Sequence, residues 1–143
     1  QHPGMFHHFR AIANHDLPGN WFGLLFAGKD ITHRDKISTI LHHITGENNL
    51  LDQVKLLHFH IGSQITKIDR IKNALNEGAR IYAEMVKMGV GLEYLDVGGG
   101  LGVNYSGGFE EGSINYSLQE YANAVVSAIG EVCDARGVSH PVL

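Results

Sequence analysis

Two short segments of this 143-residue chain carry residue types that could do chemistry. The first is His60-Ile61-Gly62-Ser63-Gln64, and the second is Asp96-Val97-Gly98-Gly99-Gly100-Leu101-Gly102. The second packs four glycines into five residues. A backbone free of Cβ atoms can curl until several N–H groups converge on one anion, and phosphate is the usual guest. A single glycine would more simply mark a tight turn or close helix–strand packing. The spacing is not that of a Gly-x-Gly-x-x-Gly dinucleotide loop, whose third glycine would fall on Val103 or Tyr105. It does match Asp-x-Gly-x-Gly-x-Gly, the first motif of S-adenosylmethionine-dependent methyltransferases, which stands as an alternative.

In the first segment, the flat imidazole of His60 could stack on an aromatic cofactor ring while the Ser63 hydroxyl reaches a phosphate. The competing reading is a core histidine bonded to a neighbouring strand. Asp96 has two readings: it fixes a neighbouring ring such as His60, or it caps the N–H groups of the glycine loop. His58 lies deeper and reads as structural. The other histidines, including His7, His8, His33, His42 and His43, lack metal-ligand spacing. Cys133 reads as inert, Lys55 sits at the wrong end of a strand, and Lys67, Lys72 and Lys87 read as solvated helix positions. None of these lysines is placed for a Schiff base.

The elements that must position these groups follow from periodicity. Residues 55–61 alternate Leu57, Phe59 and Ile61 with Leu56, His58 and His60, a strand apolar enough to be covered on both sides. Residues 92–97 form a second strand that runs into the glycines. Between them, Ile68, Ile71, Leu75, Ala79, Tyr82 and Met85 predict a helix over about 67–88, stopped by Gly89. Ser117 and Glu120 have capping-box spacing and open a helix with the stripe Leu118, Tyr121, Val125, Ala128 and Val132, ended by Gly137. Residues 141–143 look like the opening of a third strand. Upstream, 1–29 read as irregular, with one short apolar strand at 21–27, and a helix is expected at about 30–45. Strand and helix alternate as in βαβ units, which implies an α/β fold with a parallel sheet and right-handed crossovers. In such folds sites gather at the carboxyl ends of strands. Successive strands would therefore place the two segments side by side at one mouth.

Composition narrows the function classes. Hydrophobic residues make up 43% of the chain, enough for a core. No apolar run reaches the 18 or so residues of a membrane span, and the start lacks a secretory signal pattern. A net charge of −4 argues against a general nucleic-acid binder. One cysteine implies a reducing compartment, and so a cytoplasmic protein.

The run from Leu56 to Gln64, the run from Leu95 to Tyr105, and Ser113-Ile114-Asn115-Tyr116-Ser117-Leu118-Gln119-Glu120-Tyr121-Ala122-Asn123 together resemble the biosynthetic arginine decarboxylases. Ornithine and diaminopimelate decarboxylases share only the shorter His-x-Gly-Ser and Asp-x-Gly-Gly-Gly signals. The resemblance covers 50–143, while 1–49 match poorly. It implies part of a (β/α)8 barrel of the alanine-racemase-like type that binds pyridoxal 5′-phosphate. In that setting His60 would stack on the pyridine ring, Ser63 would contact the cofactor, and Gly98, Gly99 and Gly100 would form part of its phosphate cradle. The activity implied is decarboxylation of arginine to agmatine for polyamine formation, in a homo-oligomer with shared active sites. Magnesium is also implied, without a ligand set in these residues. The Schiff-base lysine and the acidic partner of the pyridine nitrogen are expected outside this stretch, so the chain reads as an inactive and poorly soluble piece of a barrel.

Overall fold

The computed structural model describes residues 8–14, 21–26, 51, 54–102 and 114–143. Six elements follow in chain order: β1 (His8–Asn14), β2 (Trp21–Phe26), β3 (Val54–His60), α1 (Ile68–Lys87), β4 (Tyr94–Asp96) and α2 (Leu118–Arg136). They build one sheet with strand order β2-β1-β3-β4. β3 and β4 are parallel, with Leu56 opposite Tyr94, Leu57 opposite Leu95 and His58 opposite Asp96. Val142 adds a further parallel bridge to Tyr94, held by Leu95 N–H to Val142 O and Val142 N–H to Glu93 O, each 2.9 Å. The third parallel strand expected from 141–143 thus begins where the periodicity placed it.

The other edge departs from expectation. β1 pairs antiparallel with both β2 and β3, so the described sheet is mixed and residues 8–14 are not irregular. The alternation of His8 and Arg10 with Phe9 and Ala11 is strand-like, but it breaks at Ile12 and is short against its Gly- and Pro-rich surroundings. The expected strand at 21–27 is β2. The helix expected at about 30–45 lies outside the described residues.

Both helices pack on one side of the parallel strands. α1 buries Ile71, Ala74, Leu75, Gly78, Ala79, Ile81, Tyr82, Ala83 and Met85, a stripe at helical spacing. Gly78 is required by packing, because a Cβ there would drive into the Phe59 ring. α2 opens with a complete capping box: Glu120 N–H bonds Ser117 Oγ, and the Glu120 carboxylate accepts from Ser117 N–H. It ends at Gly137 in the left-handed conformation, φ 64°. Its buried residues are Ala124, Val125, Ala128, Ile129 and Cys133. The predicted stripe is therefore right in its middle, but Leu118 is 76% exposed. A groove lined by Ile68, Lys72, Glu120 and Ala124 runs between the two helices, and Leu118 lies outside the buried cluster that α1 and α2 share. Burial pushes the Cys133 thiol pKa up, which keeps it protonated and unreactive.

Candidate functional site

β3 and β4 run parallel and leave the sheet at the same end, so the loops that follow them meet. Their contact is backbone to backbone. Ile65 N–H donates to Gly100 O at 3.0 Å, and Gly102 N–H donates to Ile65 O at 3.1 Å, an isolated parallel bridge between Ile65 and Leu101 beyond the strand ends. This closeness explains three of the glycines. A Cβ on Gly98 would lie 2.5 Å from the Phe59 carbonyl oxygen and 3.0 Å from His60 Nδ1. One on Gly100 would overlap the Gly62 carbonyl, and one on Gly102 would press on Ile65 O at 3.0 Å. Gly98 and Gly100 also take φ of 72° and 82°, where side chains are strained. Close packing therefore accounts for Gly98, Gly100 and Gly102.

Gly99 differs. It is exposed, and nothing lies within 4 Å of where its Cβ would be. The amides around it are also available. Gly98 N–H is taken by Asp96 Oδ1 at 2.8 Å and Gly102 N–H by Ile65 O. Those of Gly99, Gly100 and Leu101 make no hydrogen bond among the described residues. Three consecutive donors without a partner among the described residues are what an anion-binding nest provides.

His60 is half-buried and abuts this turn at Gly98. Ser63 is exposed in the facing loop, its Cα 3.3 Å from the Cβ position of Gly100. The structure thus brings His60, Ser63, Gly98, Gly99 and Gly100 to one mouth.

Asp96 does cap the glycine loop through Gly98, but its ring partner is His58 and not His60. His58 stands opposite it in the parallel register, with Nδ1 2.9 Å from Asp96 Oδ2. That ring nitrogen is buried and forms no hydrogen bond among the described residues. The carboxylate is close without lying along the ring N–H, so the contact is not a directed hydrogen bond. Lys55, by contrast, pairs with Glu93 at the opposite end of β3, 2.6 Å away.

Two further residues hold the mouth together. The Tyr116 hydroxyl donates to Ile65 O at 2.6 Å and accepts from Gly102 N–H at 3.2 Å. Asn115 N–H donates to Thr66 O at 3.0 Å, while Asn115 Oδ1 accepts from Ile68 N–H at 2.9 Å. That last bond caps α1, whose own N-cap residue, Lys67, offers no capping side chain. In the sequence, Asn115 and Tyr116 contribute only to the resemblance; no local spacing marks them as braces. Nearby, burial and the proximity of Tyr116 and Asp96 push the Tyr121 phenol pKa up, so that ring stays neutral.

Among known proteins, residues 36–142 match the family model described as the pyridoxal binding domain of pyridoxal-dependent decarboxylases. The biosynthetic arginine decarboxylase of Citrifermentans bemidjiense is 63% identical over 97 residues, which is 66% of this chain and 15% of that protein. That of Pelobacter propionicus is 56% identical over 118 residues, 80% of this chain and 19% of the relative. The crystal structure of the biosynthetic arginine decarboxylase SpeA from Campylobacter jejuni superimposes with a TM-score of 0.67 at 41% identity, covering 76% of this chain and 18% of that one. The chain therefore spans less than a fifth of the length of these relatives. The fold is that of their pyridoxal-binding barrel, of which the described residues form a part. The methyltransferase alternative drawn from the Asp-x-Gly-x-Gly-x-Gly spacing is not favoured by any of these matches.

Proposed function

Because this chain belongs to the pyridoxal-dependent decarboxylases, through their pyridoxal-binding domain, we propose that it forms one arc of the cofactor site in an arginine decarboxylase. The reaction is conversion of L-arginine to agmatine and CO2, a step toward polyamines. The observation that carries this reading is the meeting of two loops: the His60–Ser63 exit of β3 and the glycine run after β4, where the amides of Gly99, Gly100 and Leu101 make no hydrogen bond among the described residues.

These residues fit pyridoxal 5′-phosphate. The amides of Gly99, Gly100 and Leu101 would bind the phosphate, helped by the Ser63 hydroxyl. His60 would cover one face of the pyridine ring, and Asp96, by holding Gly98 N–H, would keep the turn in shape. When bound, the cofactor supplies the electron sink that makes loss of CO2 from an amino acid feasible. Holding and orienting are the parts that fall to this chain. Lys55 pairs with Glu93 at the opposite end of β3 and Lys72 and Lys87 lie within α1, so the lysine that links to the cofactor would come from outside this stretch. Magnesium does not fit: no group of three or more His, Cys, Asp or Glu among the described residues could hold it.

No described helix is long and apolar enough to cross a membrane, and the one thiol, Cys133, is buried and free. The free thiol suits work in the cytoplasm, and the resemblance to arginine decarboxylases implies a homo-oligomer that completes each site. The test is the substrate profile of the full-length protein carrying this segment. Agmatine should form from arginine, and the activity should require added pyridoxal 5′-phosphate after dialysis. Preferential decarboxylation of ornithine or diaminopimelate would overturn the substrate assignment.

A further inference from the structure

The brace made by residues 115–117 stands apart from the residues that would touch a cofactor, yet it controls where they sit. Tyr116 Oη lies between the Ile65 carbonyl and the Gly102 amide, two groups that already bond each other at 3.1 Å. The hydroxyl is not needed to satisfy either one. What it adds is a third point, closing a triangle across the seam between the loop that carries Ser63 and the loop that carries Gly99. The base of this brace is fixed on both sides. Asn115 ties back to Thr66 and Ile68, and Ser117 is locked into the capping box of α2. Tyr116 therefore cannot drift without moving a helix end.

We propose that Tyr116 is a positioning residue for the cofactor phosphate, its hydroxyl holding the Ser63 loop and the glycine loop at the spacing that lets both contact one phosphate group. This rests on the pyridoxal 5′-phosphate reading given above. The ligand part it governs is the phosphate and not the ring, because the seam joins the two phosphate-facing loops while His60 belongs to the end of β3.

The experiment is equilibrium dialysis of the full-length protein carrying this segment with pyridoxal 5′-phosphate and, separately, with pyridoxal, which lacks the phosphate. Tyr116→Phe keeps the ring and removes only the hydroxyl. It should weaken pyridoxal 5′-phosphate binding about five- to tenfold, the size of one modest hydrogen bond, and leave pyridoxal binding unchanged. The phosphorus-31 resonance of the bound cofactor should shift as well. Tyr82→Phe is the control: it removes a hydroxyl bonded to Ser139 O at 3.3 Å, remote from the loops. It should lower the melting temperature without changing the ratio of the two affinities. If Tyr116→Phe behaves like Tyr82→Phe, or loses both ligands equally, the inference is wrong. If the unsubstituted full-length protein binds no pyridoxal 5′-phosphate, the functional reading falls, and the inference with it.

Discussion

The two faces of the parallel strands are built from adjacent residues and do opposite work. On the helix side, Leu57, Phe59 and Leu95 are 1–2% exposed and join α1 and α2 in one core. On the other side, His58, His60, Tyr94 and Asp96 are half-buried or exposed, and this is the side whose strand ends open toward the glycine loop. Alternation along a strand makes this division possible: every second residue is free of packing duty. The glycines repeat it on a smaller scale. Gly78 and Gly100 are glycine because another group fills the space, whereas Gly99 faces an open one. One face of the parallel strands, with Gly78, Gly98, Gly100 and Gly102, is committed to packing, while the opposite face and Gly99 are not.

Substitutions that cross this division should separate the two roles. The largest effect is expected from Phe59→Ala, which empties the space between β3 and Gly78. Urea unfolding should show a loss of about 3–5 kcal/mol, and a near-neutral result would mean the helix side is not the core. Next comes Gly100→Ala, which forces a side chain into the Gly62 carbonyl at a φ unsuited to it. Strain of about 1–3 kcal/mol is expected, together with loss of pyridoxal 5′-phosphate uptake as the loops part. Unaltered uptake would show that the seam does not shape the mouth.

Ser117→Ala should cost about 1 kcal/mol through the lost cap, read from thermal melts. This effect depends on pH. Glu120 accepts hydrogen bonds from the Ser117 amide and hydroxyl, which hold its carboxyl pKa below the ordinary value. A lowered folded-state pKa means the contribution is fully present above the ordinary Glu value and is lost as pH falls through the lowered one. Glu120→Gln should flatten the melting temperature across that acid window. The smallest change in stability belongs to Gly99→Ala, within about 0.5 kcal/mol. Its cofactor affinity should nevertheless fall, measured by the same dialysis. A variant that melts like the parent and binds like the parent would remove Gly99 from the cradle.

Much of the framework was legible in the residues. β3, α1 and α2 lie within a residue or two of where periodicity puts them, and Gly89, Gly137 and the Ser117–Glu120 pair punctuate them as expected. These are local signals. The misses share a cause as well. β1 gains its ladder from β2 and from the more distant β3, so its weak alternation alone could not announce it. Leu118 continues the stripe of α2, but its exposure depends on what packs beside the first turn and not on the stripe itself.

The sequence by itself determined the types of β3, α1, β4 and α2, the parallel pairing of the two motif-bearing strands, and the residues that gather at their ends. The element types follow from the twofold and 3.6-fold periods of the backbone, and the parallel pairing follows from the alternation of strand and helix. Only the tertiary structure decided which partner each polar group takes. Asp96 meets His58 because the parallel register sets them opposite each other. Asn115 caps a helix that begins 47 residues earlier, and Tyr116 reaches a carbonyl 51 residues away. Hydrogen bonds are short and directional, so their partners are fixed by ångström-scale placement that no pattern of residue types encodes. The same placement divided the four glycines, leaving three to pack against a neighbouring backbone and Gly99 to face open space.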